Sequence, residues 1–132
     1  MNLFVDTSAF FAVLDANDRN HTSAKKVWLE VLGSNANLIC TNYVLVETLA
    51  LVQHRLGLPA VRSFQNDVVP ILTIEWITEE VHDAAISALM VANRHTLSLV
   101  DCVSFETMRL LGLKKVFAFD PDFAQQGFHS IP

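Results

Sequence analysis

Four carboxylates, Asp6, Glu47, Asp101 and Asp120, each stand where an apolar run is interrupted or gives way to a turn. Asp6 follows Leu3-Phe4-Val5, a short buried strand by composition, and precedes the apolar run Ala9 to Leu14. In open α/β sheets ligands sit beyond the carboxyl ends of strands, so an acid placed there faces a site. Its plain alternative is a helix cap, a task Asp6 or Thr7 can equally perform. Asp120 ends a second such run, Val116-Phe117-Ala118-Phe119, and with Pro121 also reads as a turn former. Asp101 lies three residues after Ser98, the spacing of a capping box. Glu47 sits among Tyr43, Val44, Leu45, Val46, Leu49, Ala50 and Leu51, where an acid is rarely buried unpaired. Its alternative is an ion pair with an arginine.

Gathered at one edge of a sheet, these acids need a partner. Two carboxylates ~5 Å apart repel by about 3 kcal/mol at an effective dielectric of 20, and four multiply that cost. Hard divalent ions with oxygen ligands, Mg²⁺ or Mn²⁺, suit such a site, whereas zinc wants His or Cys at spacings this chain lacks. One ion leaves the four acids at a charge of −2 and two neutralise them. Such a site admits a phosphodiester, lowers the pKa of a bound water and stabilises the attacking and leaving oxygens in line. The chemistry implied is metal-assisted phosphoester hydrolysis.

The elements that must position these acids alternate. After the first strand, Phe10 to Leu14 reads as a short helix, and Thr22 to Leu32 as an amphipathic one closed by Gly33. Asn37 to Thr41 reads as a second strand, and Val44 to Leu56 as a largely buried helix ended by Gly57 and Pro59. A helix over Ala60 to Val69, a strand over Ile71 to Ile74, and helices from Thr78 to about Asn93 and from Ser98 to Leu111 follow. The strand ending at Phe119, a short turn or helix over Phe123 to Gly127 and an edge strand over His129 to Pro132 complete the chain. Strands separated by helices predict a single α/β domain over residues 1–132. Its central parallel sheet has four to five short strands and helices on both faces.

Composition bounds the function. Hydrophobic residues make up 52% and charged residues 17%, an apolar surplus that points to a subunit interface as well as a core. The net charge of −5 argues against a general nucleic-acid binder, unless acids pooled with metal ions account for it. Cys40 and Cys102 read as reduced core residues. No signal peptide and no run of ~18 apolar residues is evident, so the expectation is a cytoplasmic protein without a membrane partner.

Four blocks then carry a family likeness: Val5-Asp6-Thr7-Ser8-Ala9, Val46-Glu47-Thr48, Leu97 to Phe105 around Asp101, and Phe119-Asp120-Pro121-Asp122-Phe123 with Gly127-Phe128 beyond. In order and spacing they resemble the PIN-domain family, and within it the VapC-type toxins of toxin–antitoxin pairs. The resemblance implies a compact α/β fold and a Mg²⁺- or Mn²⁺-dependent endoribonuclease holding one or two ions. It also implies a homodimer and a cognate antitoxin whose tail enters the acidic groove. Residue by residue, Asp6, Glu47 and Asp101 match the core acids and Asp120 the fourth and more variable one, while Asp122 falls where such toxins often carry a different residue and is an extra candidate ligand. Thr7, Ser8 and Ser104 match small polar positions that orient ligands or water. Ser104 also fits a hydroxyl bonded back to its own helix.

Arg94 and His95, in the loop leading to Asp101, are the candidate RNA contacts among otherwise scattered bases. Trp28 fits the core face of its helix better than it fits base stacking. Two rivals remain from other classes. A non-catalytic relative would keep only dimerisation and partner binding. A receiver-like signalling domain would require paired acids after the first strand, where Thr7 stands, and a lysine after the last parallel strand, where Asp120 stands.

Overall fold

The computed structural model describes residues 1–132. Its elements are β1 (Asn2–Val5), α1 (Thr7–Leu14), α2 (His21–Gly33), β2 (Asn37–Thr41), α3 (Asn42–Leu56), α4 (Leu58–Ser63), β3 (Leu72–Glu75), α5 (Glu79–Ala92), α6 (Leu99–Leu111), β4 (Lys115–Phe117), α7 (Asp122–Gln125) and β5 (His129–Ile131). The five strands form one parallel sheet in the order β3-β2-β1-β4-β5. Leu3, Phe4 and Val5 of β1 are completely buried, as a central parallel strand covered on both faces requires.

The order of strands places the site. From β1 the chain moves outward through β2 to β3, then returns to β1's other side with β4 and moves outward again to β5. Right-handed crossovers in opposite directions put their helices on opposite faces, and the crevice opens where the direction reverses. That point lies between the carboxyl ends of β1 and β4, where Asp6 N–H donates to Phe117 O at 3.1 Å. α1 packs on α2 and α3, α5 packs on α6, and α3 also reaches α6. One continuous core of 25 buried residues links all these layers. Cys40 and Cys102 are free thiols within it, and burial pushes Cys40 up to about 12.

Several boundaries differ from the sequence-based expectation. α1 begins at Thr7, because the Asp6 side chain accepts from Ser8 N–H and caps it. In place of a helix over Ala60 to Val69, α4 ends at Ser63 and is followed by a π-helical turn (Phe64–Val68) and a 3-10 turn (Val69–Ile71). Pro70 offers no amide with which to continue a helix. Phe64 is buried at this break, edge-on to Phe10 with centroids 5.2 Å apart. β3 accordingly starts at Leu72. β4 stops at Phe117, since Phe119 N–H leaves the ladder and donates to Ser8 Oγ.

The largest departure is α3. Only Val44, Thr48 and Val52 are buried, and Val46 is 66% exposed. A helix turns one stripe to a core, so apolar residues all round it serve a further surface as well. Trp28 is half-buried, edge-on to Phe10 at 6.5 Å, whereas Trp76 is exposed.

Candidate active site

Asp6 reaches the crevice from the end of β1 and is 4% exposed. Its Oδ2 accepts from Ser8 N–H at 3.1 Å and from Ser8 O–H at 2.7 Å. Asp120 arrives from the end of β4, its Oδ1 accepting from Asp122 N–H at 2.9 Å. Asp101 projects from the first turn of α6 in a reciprocal box: Ser98 Oγ accepts from Asp101 N–H at 3.0 Å and Asp101 Oδ2 accepts from Ser98 N–H at 3.1 Å. The plain roles foreseen for Asp6, Asp101 and Asp120 are therefore all realised, and each carboxylate keeps an oxygen free of them. Capping and turn bonds here act as the means by which three acids are aimed.

The tightest group is Asp101, Asp120 and Asp122, each offering a carboxylate oxygen within 4.8 Å of the others. At that spacing a charged pair repels by about 3.5 kcal/mol at an effective dielectric of 20. Asp6 and Glu47 stand around this triangle, and both feel the charges of Asp101 and Asp120. Burial, reinforced by those neighbours, raises Asp6 to about 7 despite its two bonds from Ser8. Glu47, Asp101 and Asp120 are raised as well, in each case first by burial and then by neighbouring acids. One cation answers them directly: Arg94 donates to Asp122 Oδ1 at 2.9 Å. Glu47 has no arginine partner. The nearby Thr7 hydroxyl offsets part of the rise at Glu47.

The small polar residues divide. Ser8 Oγ also accepts from Phe119 N–H at 3.0 Å, joining the ends of β1 and β4. Thr7 O–H donates weakly to Val44 O at 3.4 Å and its oxygen accepts from Thr48 O–H at 3.0 Å, tying α1 to α3 beside Glu47. Thr48, a buried residue directly after Glu47 on α3, belongs to the Val46-Glu47-Thr48 block of the sequence but carried no role of its own there; its place beside an acid in an apolar helix was the available signal. Ser104 is fully buried and its hydroxyl has no hydrogen-bond partner. It does not bond back to its helix, whereas Thr107 on the same helix does, to Val103 O at 2.8 Å.

His95 is exposed in the same loop as Arg94 and makes no side-chain hydrogen bond. Lys114 and Lys115 lie away from the acids, lining a groove with Arg109 and His129 at the opposite end of the sheet.

A donor set made of carboxylates, with raised proton affinities and a single compensating arginine, fits a hard divalent cation. The model of the PIN domain matches residues 3–128. The chain belongs to the PIN-domain family.

Among PIN-domain relatives, the 23S rRNA-specific endonuclease VapC20 of Mycobacterium tuberculosis, in two strains, is 34% identical over 131 residues. The match covers 98% of this chain and 97% of the relative. The crystal structure of that VapC20, described as a toxin cleaving the sarcin-ricin loop, is similar with a TM-score of 0.85 and 31% identity, covering 96% of this chain and 95% of that one. VapBC2 from Rickettsia felis, bound to a promoter DNA fragment, has a TM-score of 0.71 at 13% identity, covering 98% and 97% of the two chains. FitAcB from Neisseria gonorrhoeae has a TM-score of 0.69 at 14% identity, covering 100% and 97%. These last two share the fold alone.

Proposed function

We propose that this PIN-domain protein is an endoribonuclease that hydrolyses RNA phosphodiester bonds with Mg²⁺ or Mn²⁺, and the toxin of a type II toxin–antitoxin pair. The observation that carries the reading is the cluster of Asp101, Asp120 and Asp122 at the point where the sheet reverses direction, with Asp6 and Glu47 near enough to feel the charges of Asp101 and Asp120, in a chain similar over nearly its whole length to an rRNA-specific endonuclease.

Asp6, Glu47, Asp101 and Asp120 would hold one or two divalent ions, with Asp122 beside them. Such ions polarise a phosphoryl oxygen and lower the pKa of a coordinated water. The chain's own residues supply the frame. Ser8 orients Asp6, the Ser98 box orients Asp101, and the turn to Asp122 N–H orients Asp120. The Ser8 hydroxyl is committed to Asp6 and Phe119, which speaks against it as a covalent nucleophile. Arg94, partly exposed at the rim, can leave Asp122 for an RNA phosphate, and His95 stands beside it.

The apolar surplus has a place in this reading. Trp76, Leu110 and Leu111 are exposed along one groove, a surface suited to a homodimer or an antitoxin segment. No helix is long and apolar enough to cross a membrane.

The test is cleavage of a mixed RNA pool by the purified chain with Mg²⁺ or Mn²⁺, with EDTA, and beside an Asp6→Asn control. Cleavage that requires both metal and Asp6 is expected. Cleavage that persists without either would overturn the assignment, and a folded, metal-loaded chain that cuts nothing would leave the non-catalytic, partner-binding role.

A further inference from the structure

Beside the acids, α3 and α6 part to leave a slot of about 350 Å³ lined by Asn42, Tyr43, Val46, Glu47 and Val100. It is continuous with the candidate active site, because Glu47 belongs to both and Val100 immediately precedes Asp101. Two of its walls are set in advance. The Tyr43 hydroxyl is hydrogen-bonded to His82 Nδ1, and the two rings meet edge-on with centroids 5.8 Å apart and planes at 62°. A ring held at its tip and its edge loses little freedom when something packs on it. Asn42 Oδ1 accepts from Ile77 N–H at 2.8 Å, which fixes the amide and leaves its Nδ2 hydrogens without a protein acceptor.

Resting on the ribonuclease reading, we infer that this slot receives a nucleobase flanking the scissile phosphate, packed on Tyr43 and read at its edge by Asn42. An apolar, aromatic-walled recess with one aimed polar group is how single-stranded bases are held. The state of Asn42 sets the preference. A free Asn amide reads adenine by donating and accepting at once. Here the acceptor is taken by Ile77, so the amide can only donate. With the purine 6-position or the pyrimidine 4-position turned to the amide, guanine O6 and uracil O4 accept such a donor, whereas the amino groups that adenine and cytosine carry there oppose it. The slot therefore selects G or U. A peptide side chain, from a second copy or another protein, would cover Val46 and Tyr43 equally; the flat Tyr43 wall directly beside the acids that would hold the scissile phosphate favours the base.

The experiment is cleavage of RNA with a randomised stretch, the new ends being sequenced, by the wild type, Asn42→Asp, Asn42→Ala and Tyr43→Ala, with the mass of each protein measured by light scattering. The wild type is expected to enrich G or U at one position flanking the cut. Asn42→Asp keeps the bond from Ile77 N–H and puts an acceptor where Nδ2 stood, so its enrichment shifts toward A or C. Asn42→Ala flattens the preference. Tyr43→Ala raises KM on the order of tenfold with kcat less affected. Identical base preferences in the wild type and both Asn42 variants, with all of them cutting, overturn the slot while the ribonuclease reading stands. Loss of a dimer in Tyr43→Ala with unchanged base preference also overturns it, by making the slot a subunit contact. A wild type that cuts no RNA with metal present removes both readings. Should Tyr43→Ala fail to fold, the Asn42 variants decide the matter.

Discussion

Ser8 O–H donates to Asp6 Oδ2 at 2.7 Å while its oxygen accepts from Phe119 N–H at 3.0 Å, so one hydroxyl aims the first acid and ties together the ends of β1 and β4. Ser8→Ala removes both bonds and leaves a part-buried carboxylate oxygen and an amide without these partners. The expected loss of stability is about 1–3 kcal/mol, read as a lower midpoint in denaturant. Because the bonds from Ser8 hold the Asp6 pKa down, the variant also needs a higher pH to ionise Asp6. The acidic limb of the cleavage profile should move upward; an unmoved limb with full stability would show that Ser8 does neither task.

Stability of the metal-free chain depends on pH through Asp6, raised in the fold to about 7 from an ordinary 3.8. Below the unfolded value both states hold the proton and Asp6 has no effect. Between the two values only the folded state keeps it, so stability falls as pH rises, by up to about 4 kcal/mol once the folded group has also ionised. Thermal unfolding without metal should therefore show a lower Tm at about pH 8 than at about pH 5, and Asp6→Asn should flatten the difference. A Tm that rises over that range would contradict the buried, repelled state of Asp6.

Asp6→Asn and Asp101→Asn should each abolish cleavage with the fold intact, since each keeps the size and much of the bonding of the original side chain while losing its charge. Circular dichroism and RNA cleavage, measured together, check this. Full activity in both variants would remove these acids from the site.

Arg94 neutralises Asp122 within 4.8 Å of the other ligand oxygens. Arg94→Gln removes a positive charge and releases a carboxylate, so Mg²⁺ or Mn²⁺ should bind several-fold more tightly, as measured by titration calorimetry. Cleavage should nonetheless slow, because the rim loses a phosphate contact. Weaker metal binding would mean that Arg94 holds the loop in place rather than competing with the ion.

Phe123 is fully buried beneath the turn carrying Asp120 and Asp122, edge-on to Phe105 at 5.0 Å and near Phe128 at 6.4 Å. Phe123→Ala should cost about 3–5 kcal/mol, and it should weaken metal binding although the side chain touches no ligand position. Hydrogen exchange localised to α7 and β5 would report the loosened turn.

Periodicity and punctuation were enough to make the alternating strands and helices, the parallel sheet and the α6 box at Ser98 and Asp101 legible in the sequence. Buried strands must be apolar on both faces, and helix ends demand particular residues, so both leave local marks. Asp6, Glu47, Asp101 and Asp120 could be singled out for the same reason: a carboxylate inside an apolar run is costly and stands out.

Other features depend on which chain segments meet. Whether Glu47 had an arginine, that Ser8 would join Phe119, that Thr48 would bond Thr7 and that Arg94 would take Asp122 are contacts between residues 28 to 111 positions apart. The exposed side of α3 was hidden likewise, since an apolar residue looks the same whether it faces its own core or a partner. Sequence alone determined which acids stand out; the reversal of strand order decided that Asp6 and Asp120 leave the ends of adjacent strands and that Asp101 meets Asp120 and Asp122 there, because only at that point do a helix start and two adjacent strand ends come together.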